Sequence, residues 1–368
     1  MDPMQDASTV ERALLRSAAS RLAPVSGSLE LTPLCNMNCG MCYVRLSREE
    51  LDRQGRLRTA EEWLSLGREL QKSGVLFLLL TGGEPLLHPG FREIFSGLRQ
   101  MGMILTVNTN GTLIDEDRAD FFAAHKPRRI NITLYGADDR AYEALCRHPG
   151  GFDRVCRAVR LLRERDVDVK LSASLTKLNR DDLDRLHDVA DSLGVPLRTD
   201  TYMMPAIRER GRPFSEQTRL APEDAAAARI TALRREMGPE LFRSFREKTL
   251  WEVGHILPDP PEQNRMACLA GSCSFTVNWQ GELRPCVVLT QPAVPVFDLG
   301  FEAAWRRLKD EISAIRLSAK CAACKLRPIC RTCAASALLE TGSFDGTPDY
   351  MCRFAAESLR LLQEETDG

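Results

Sequence analysis

Cys35, Cys39 and Cys42 lie in the run Cys35-Asn-Met-Asn-Cys39-Gly-Met-Cys42-Tyr43, a C-x3-C-x2-C spacing. Three thiolates hold three irons of a four-iron cluster and leave the fourth iron open to a reacting ligand. A zinc site at the same place wants a fourth protein ligand close by, and the neighbouring sequence offers none. Eight more cysteines gather near the other end of the chain, as Cys268-x4-Cys273-x12-Cys286, Cys321-x2-Cys324-x5-Cys330-x2-Cys333 and Cys352. Eight thiols make two complete four-ligand sets, which suits two fully ligated clusters or two structural zincs. Cys146 and Cys156 stand apart on a helical stretch and read as buried structural thiols.

Other polar groups follow strand-like segments. Thr81-Gly82-Gly83-Glu84-Pro85 couples two glycines, which let backbone approach a ligand, to a carboxylate able to receive an ammonium. Asn108-Thr109-Asn110-Gly111 offers amides suited to a ribose or carboxylate, or simply an Asn-Gly turn. Thr133 closes a further strand, and Ser172, Ser174 and Thr176 alternate along the next, sharing one face.

These residues need a scaffold that brings strand ends together. Strand-like segments at 28–34, 75–81, 104–108, 130–135, 167–175 and 197–204 alternate with helix-like segments near 60–73, 90–101, 115–125, 138–163 and 181–193. Thr59 ahead of Glu61 and Glu62 marks one helix start, and Asn179 or Asp181 another. Six strands with helical crossovers imply parallel pairing and an α/β (β/α)6 partial TIM barrel with chemistry at the strands' carboxyl ends. Before it, residues 8–22 predict a short amphipathic helix, within an extension spanning 1–27. After it, 206–264 reads as a bridging segment: a basic loop (Arg208, Arg210, Arg212), helix over about 221–250, and a Pro-rich linker at 258–264. Residues 265–368 carry the second cysteine group with little helical periodicity, as expected of a region folded around metal, and a closing helix over about 354–364.

Composition excludes several classes. A net charge of −1 gives no field to draw nucleic acid or an anionic membrane. The longest apolar run, Val75 to Leu80, falls far short of the roughly 20 residues needed to span a bilayer. No basic-then-apolar signal segment opens the chain, so a cytoplasmic location is expected, where thirteen cysteines point to ligation rather than a disulfide framework.

The C-x3-C-x2-C spacing followed by Tyr43, with Gly82-Gly83-Glu84-Pro85 after strand two, resembles the radical S-adenosylmethionine superfamily over about residues 28–205. The resemblance implies that the cofactor chelates the open iron and is cleaved to a 5′-deoxyadenosyl radical. It places Tyr43 against the adenine and Gly82, Gly83, Glu84 and Pro85 at the methionyl amino group. Asn108, Asn110, Thr133 and Ser172 become further cofactor contacts; Tyr135 stands where many relatives carry Asp. The cysteines from Cys268 to Cys352, with Gly281-x4-Cys286, are similar to a SPASM domain. That implies a first auxiliary [4Fe–4S] cluster on Cys268, Cys273, Cys286 and Cys333 and a second on Cys321, Cys324, Cys330 and Cys352, three clusters in all. The family pattern puts three residues between its fifth and sixth cysteines; here Arg331 and Thr332 provide two.

SPASM relatives mostly modify ribosomally made peptides by cross-linking or dehydrogenation, while others oxidise an alcohol or other C–H bond of a small metabolite. Val287 stands where sulfatase maturases carry a basic Asp, which argues against that reaction, and no other catalytic base is assigned. The expected partners are a peptide, recognised by a separate leader-binding protein or within the enzyme, or a small molecule, and a flavodoxin- or ferredoxin-type reductant. A non-catalytic iron–sulfur electron carrier is the remaining alternative, and it would leave the open three-cysteine site without purpose.

Overall fold

The computed structural model describes residues 8–204, 218–255, 257, 260, 264–266, 268–330 and 332–365. Six parallel strands, β1 (Ser26–Glu30), β2 (Phe77–Thr81), β3 (Ile104–Thr109), β4 (Arg129–Thr133), β5 (Val169–Ser174) and β6 (Leu197–Asp200), pair in sequential order. Alternation along them sets two unlike faces. Leu29, Leu78, Leu80, Val107, Ile130, Ile132 and Leu171 form the apolar face and share one core with Trp63, Phe95 and Phe122 of the crossover helices. The opposite face is polar. Register places Asn108 beside Asn131 and Lys170, and Thr133 beside Ser172 and Arg198.

The crossover helices begin where capping chemistry dictates. Thr59 accepts from the Glu62 amide, while the Glu62 carboxylate returns to the Thr59 amide at 2.7 Å, so two otherwise orphaned donors are satisfied together. Asp115 and Asp138 cap Glu116–Ala124 and Asp139–Cys146 in the simpler way. Asn179 precedes the 3-10 turn Arg180–Asp182 that leads into the α-helix from Leu183, but its side chain makes no cap bond and holds Thr176 and the Tyr135 carbonyl instead.

Several elements differ from the sequence expectation. β1 stops at Glu30 rather than running to Leu34, and β6 stops at Asp200. The long helix expected over 138–163 is two, Asp139–Cys146 and Gly151–Glu164, because Arg147 and Gly150 take left-handed backbone on either side of Pro149. The stretch 221–250 likewise divides into Pro222–Met237 and Pro239–His255 at Gly238. The closing helix starts earlier, at Asp349, and carries Cys352. Arg208, Arg210 and Arg212, and most of 258–264, lie outside the described residues.

The C-terminal region also buries apolar residues, continuous with the barrel core. Phe301, Ala304, Trp305, Leu308 and Ile312 recur at helical spacing and are buried on the helix Phe301–Ser313. β7 (Ser274–Val277) adds to the barrel sheet in parallel beside β1, followed by antiparallel β8 (Glu282–Arg284) and β9 (Val294–Pro295). Gly27 is the condition for that joint: a Cβ there would stand 2.4 Å from the Phe275 ring. Trp305 Nε1 donates to the Leu22 carbonyl at 3.1 Å, and Arg58 donates to the Gln280 carbonyl at 3.0 Å, fastening the same edge.

Candidate cluster and cofactor site

Beyond β1, the chain carrying Cys35, Cys39 and Cys42 is held by the exits of β2 and β3 and by one helix end. The amides of Gly83 and Glu84 donate to the carbonyls of Thr32 (2.7 Å) and Leu34 (2.8 Å). Such backbone contact requires glycine. A Cβ on Gly82, whose φ is +147°, would lie 2.4 Å from Thr32 O, and one on Gly83 would lie 2.5 Å from Leu34 O. On the other side, the Asn38 and Gly40 amides donate to the carbonyls of Cys146 and Leu145 at 3.0 Å each. The last turn of Asp139–Cys146 thereby spends orphaned carbonyls on the cysteine loop.

Glu84 is fully buried and joins the β2 and β3 exits. It accepts from Thr109 Oγ1 (2.8 Å), the Asn110 amide (2.8 Å) and the Leu86 amide (3.1 Å). Asn110 in turn donates to Asn36 Oδ1 at 2.9 Å, and Asn36 donates to Thr112 Oγ1 at 2.9 Å. Asn110 Nδ2 also reaches Cys35 Sγ at 3.7 Å. The carboxylate therefore acts first on protein donors, fixing Asn110 against the Cys35 loop.

Burial pushes the Glu84 carboxyl up to about 7 from an ordinary 4.5. The folded chain keeps a proton that the unfolded chain has released, so this contribution is complete below pH 4.5 and lost as pH rises through 7. Urea unfolding of metal-free protein should show a loss on the order of 3 kcal/mol between pH 4.5 and 8 from this group. Glu84→Gln should flatten that decline. It should also cost about 1–3 kcal/mol at low pH, because its amide group faces the Asn110 N–H. An unchanged pH profile in the variant would show that Glu84 does not titrate in this window.

The three motif thiols are neighbours, each charge felt at Cys35, whose thiol burial pushes up to about 12. Two sulfurs accept backbone amides, Cys35 from Met37 at 3.4 Å and Cys42 from Arg45 at 3.3 Å. Cys146 is fully buried with its thiol in hydrogen-bonding reach of Cys39, and the Tyr135 phenol faces the same group. Tyr43 is half-buried directly after Cys42. Thr133 and Ser172 are register partners on the polar face, and Asn108 there accepts from Asn131 Nδ2 at 2.8 Å. Sequence reasoning missed Asn36, Thr112 and Cys146. The Asn-Gly-Thr run hinted at Thr112; nothing local marked Cys146.

The C-terminal cysteines separate in space into two groups. Cys273 senses Cys268, and Cys286 senses Cys333 and Cys268. Cys330 senses Cys321, Cys324 and Cys352 instead, and these four line one cavity of about 370 Å³ with Arg265, Arg327 and Met351. Amides again point at sulfur: Ala270 at Cys268 (3.5 Å), Leu289 at Cys286 (3.3 Å) and Leu326 at Cys324 (3.4 Å). All thirteen cysteines are free of disulfides. Among the described residues, no three His, Cys, Asp or Glu side chains form a group spaced to hold a single metal ion. No described helix is long and apolar enough to cross a membrane.

Residues 29–199 match the Radical SAM superfamily, so the chain carries a radical SAM domain, built on an α/β parallel sheet. The family implies S-adenosylmethionine and a [4Fe–4S] cluster. Among curated relatives, an AdoMet-dependent heme synthase of Methanosarcina barkeri is 26% identical over 341 residues, covering 88% of this chain and 94% of that protein. The antilisterial bacteriocin subtilosin biosynthesis protein AlbA of Bacillus subtilis is 24% identical over 269 residues, covering 72% of this chain and 55% of AlbA. The fold is shared with the crystal structure of Streptococcus suis SuiB bound to its precursor peptide SuiA, at TM-score 0.68 and 17% identity, over 93% of this chain and 80% of SuiB.

Proposed function

We propose that this enzyme cleaves S-adenosylmethionine reductively at a cluster held by Cys35, Cys39 and Cys42 and oxidatively modifies a ribosomally made peptide, with two auxiliary clusters held by the eight C-terminal cysteines. The observation that carries this is the gathering of Cys321, Cys324, Cys330 and Cys352 around one cavity, apart from the three motif cysteines on their own loop, which leaves Cys268, Cys273, Cys286 and Cys333 as the remaining set of four. Amide donors aimed at five of those sulfurs fit anionic cluster ligands. When bound, the cluster and cofactor supply a 5′-deoxyadenosyl radical that takes a substrate hydrogen.

The chain's own residues do the placing. Gly82 and Gly83 lay the β2 exit against the chain leading to Cys35, Glu84 fixes Asn110 beside it, and Cys146 and Leu145 hold the loop from the far side. Burial favours the protonated Cys35 thiol, so metal uptake must displace its proton and loading is favoured at higher pH. Thr133, Ser172 and Asn108 share the sheet's polar face, suited to the cofactor's ribose and carboxylate, and Tyr43, directly after Cys42, is the residue assigned to the adenine. Closing a cross-link after hydrogen abstraction leaves one electron to remove, and a four-cysteine cluster with no open iron suits electron transfer.

Peptide chemistry is favoured by AlbA and SuiB, a bacteriocin biosynthesis protein and a precursor-peptide binder. The second reading, oxidation of a small metabolite, is favoured by the heme synthase, which aligns over nearly its whole length. Anaerobically reconstituted enzyme, given dithionite, S-adenosylmethionine and a short precursor peptide encoded beside its gene, should lower the peptide mass by about two hydrogens per event. Unchanged peptide mass with turnover of a carboxylated tetrapyrrole would move the assignment to the second reading. The proposed setting is the cytoplasm, with a flavodoxin- or ferredoxin-type reductant.

A further inference from the structure

Arg198 lies on β6, and register sets it on the polar face of the sheet, beside Ser172 of β5, which is itself beside Thr133 of β4. Only 8% of the residue is exposed, and its Nη1 is buried without a hydrogen-bond partner. Among the described residues its ion-pair partner is Asp200, whose half-exposed carboxylate stands 3.8 Å from Nη2, beyond hydrogen-bonding distance.

A buried N–H left without an acceptor is a state that native folds avoid. A guanidinium cannot relieve it by giving up its proton, so the charge stays and waits for an anion. Its planar fork matches a carboxylate through two parallel N–H···O bonds. The face around it is hydrogen-bonding rather than apolar: Asn131 and Lys170 lie one row nearer the strands' amino ends than Thr133 and Ser172. S-adenosylmethionine carries a single carboxylate and no other anion. In the function proposed above that group is held at the cluster, beside the β2 and β3 exits. β6 is the edge strand three places beyond β3. The anion that completes Arg198 therefore belongs to the other reactant.

We infer that Arg198 binds a carboxylate of the substrate: an Asp or Glu side chain of the peptide, or the acid group of a small metabolite under the second reading. This rests on the function proposed above and narrows its substrate. Thr133, Ser172 and Arg198 are consecutive in one row across strands spaced on the order of 5 Å apart. A carboxylate on Arg198 thus lies within one or two strands of the cofactor contacts, and the acidic residue is the modified one or its near neighbour.

The test is equilibrium binding, by isothermal titration calorimetry, to anaerobically reconstituted full-length enzyme with S-adenosylmethionine and no reductant. The probes are the precursor peptide encoded beside the gene, the same peptide with each Asp and Glu changed in turn to its amide, and a carboxylated tetrapyrrole with its methyl ester. Arg198→Gln should weaken an acidic probe roughly 10- to 100-fold, and Arg198→Lys should recover part of the loss. One acid-to-amide change should weaken the peptide by a similar factor in the parent and add nothing in Arg198→Gln, which a merely structural role for Arg198 would not produce. Should Arg198→Gln fail to load iron, the same peptide series on the parent and on Arg198→Lys decides instead. Equal affinity of parent and variant for the acidic probe, or additive losses, would overturn the inference and leave peptide modification standing. Weaker S-adenosylmethionine binding with unchanged probe affinity would give the guanidinium to the cofactor and overturn it too. Arg198-dependent binding of the tetrapyrrole but not of its ester, with no binding of peptide, would uphold the inference and end the peptide reading. Binding of neither probe by the parent would overturn both.

Discussion

Changing Cys35, Cys39 and Cys42 together to Ala should lower iron from about twelve to about eight per chain and abolish 5′-deoxyadenosine formation. The three sulfurs are neighbours on one loop, and the loop is fastened by protein contacts that do not involve them: Gly83 to Thr32, Glu84 to Leu34, Asn38 to Cys146. The fold should therefore survive, and far-ultraviolet circular dichroism should match the parent. Cys352→Ala should behave differently. It belongs to the group with Cys321, Cys324 and Cys330, so it should lose auxiliary iron and keep some cofactor cleavage. Deoxyadenosine release by the triple variant would remove the first loop as the cofactor's site. Zinc in place of the auxiliary iron would leave the barrel assignment standing and end the three-cluster one.

Gly82→Ala should be the most damaging single substitution outside the cysteines. Its φ of +147° is a conformation that side chains rarely adopt, and the new Cβ would meet Thr32 O at 2.4 Å. That atom is backbone, itself accepting the Gly83 amide, so it has no rotamer to yield. Strain of about 1–3 kcal/mol at such a backbone, with about 1–3 kcal/mol of overpacking, threatens much of a total stability of roughly 5–15 kcal/mol. Because the displaced segment leads straight from Thr32 to Cys35, cluster loading should fall with stability. Gly254→Ala is the control: nothing lies within 4 Å of its Cβ, and on a helix the change should be neutral or stabilising by up to about 1 kcal/mol. Thermal unfolding and iron content of the two variants, measured together, decide the point; equal behaviour would refute the backbone argument.

Where the elements begin and end was legible to the extent that a local rule governed it. Thr59 and Glu62 announce their helix because both halves of the capping box lie within three residues. The Pro149-Gly150 break was equally local, yet the apolar spacing running through it suggested one helix; left-handed backbone at Arg147 and Gly150 decides for two. The apolar periodicity of Phe301 to Ile312 was present too, but stood among cysteines that drew the reading toward a metal-folded region without a core.

The sequence by itself determined the chemistry offered and the order of the barrel. Ligand spacing is a local property: Cys35, Cys39 and Cys42 reach one point because few residues separate them, and alternating strand and helix patterns leave parallel pairing as the outcome. Only the tertiary structure decided what lies across from what. Cys146 comes to Cys39, the Glu84 carboxylate to Asn110, and β7 to the edge of β1. Each pair is joined by packing between segments distant in sequence, and no periodicity or spacing within a segment records which distant segment will cover it.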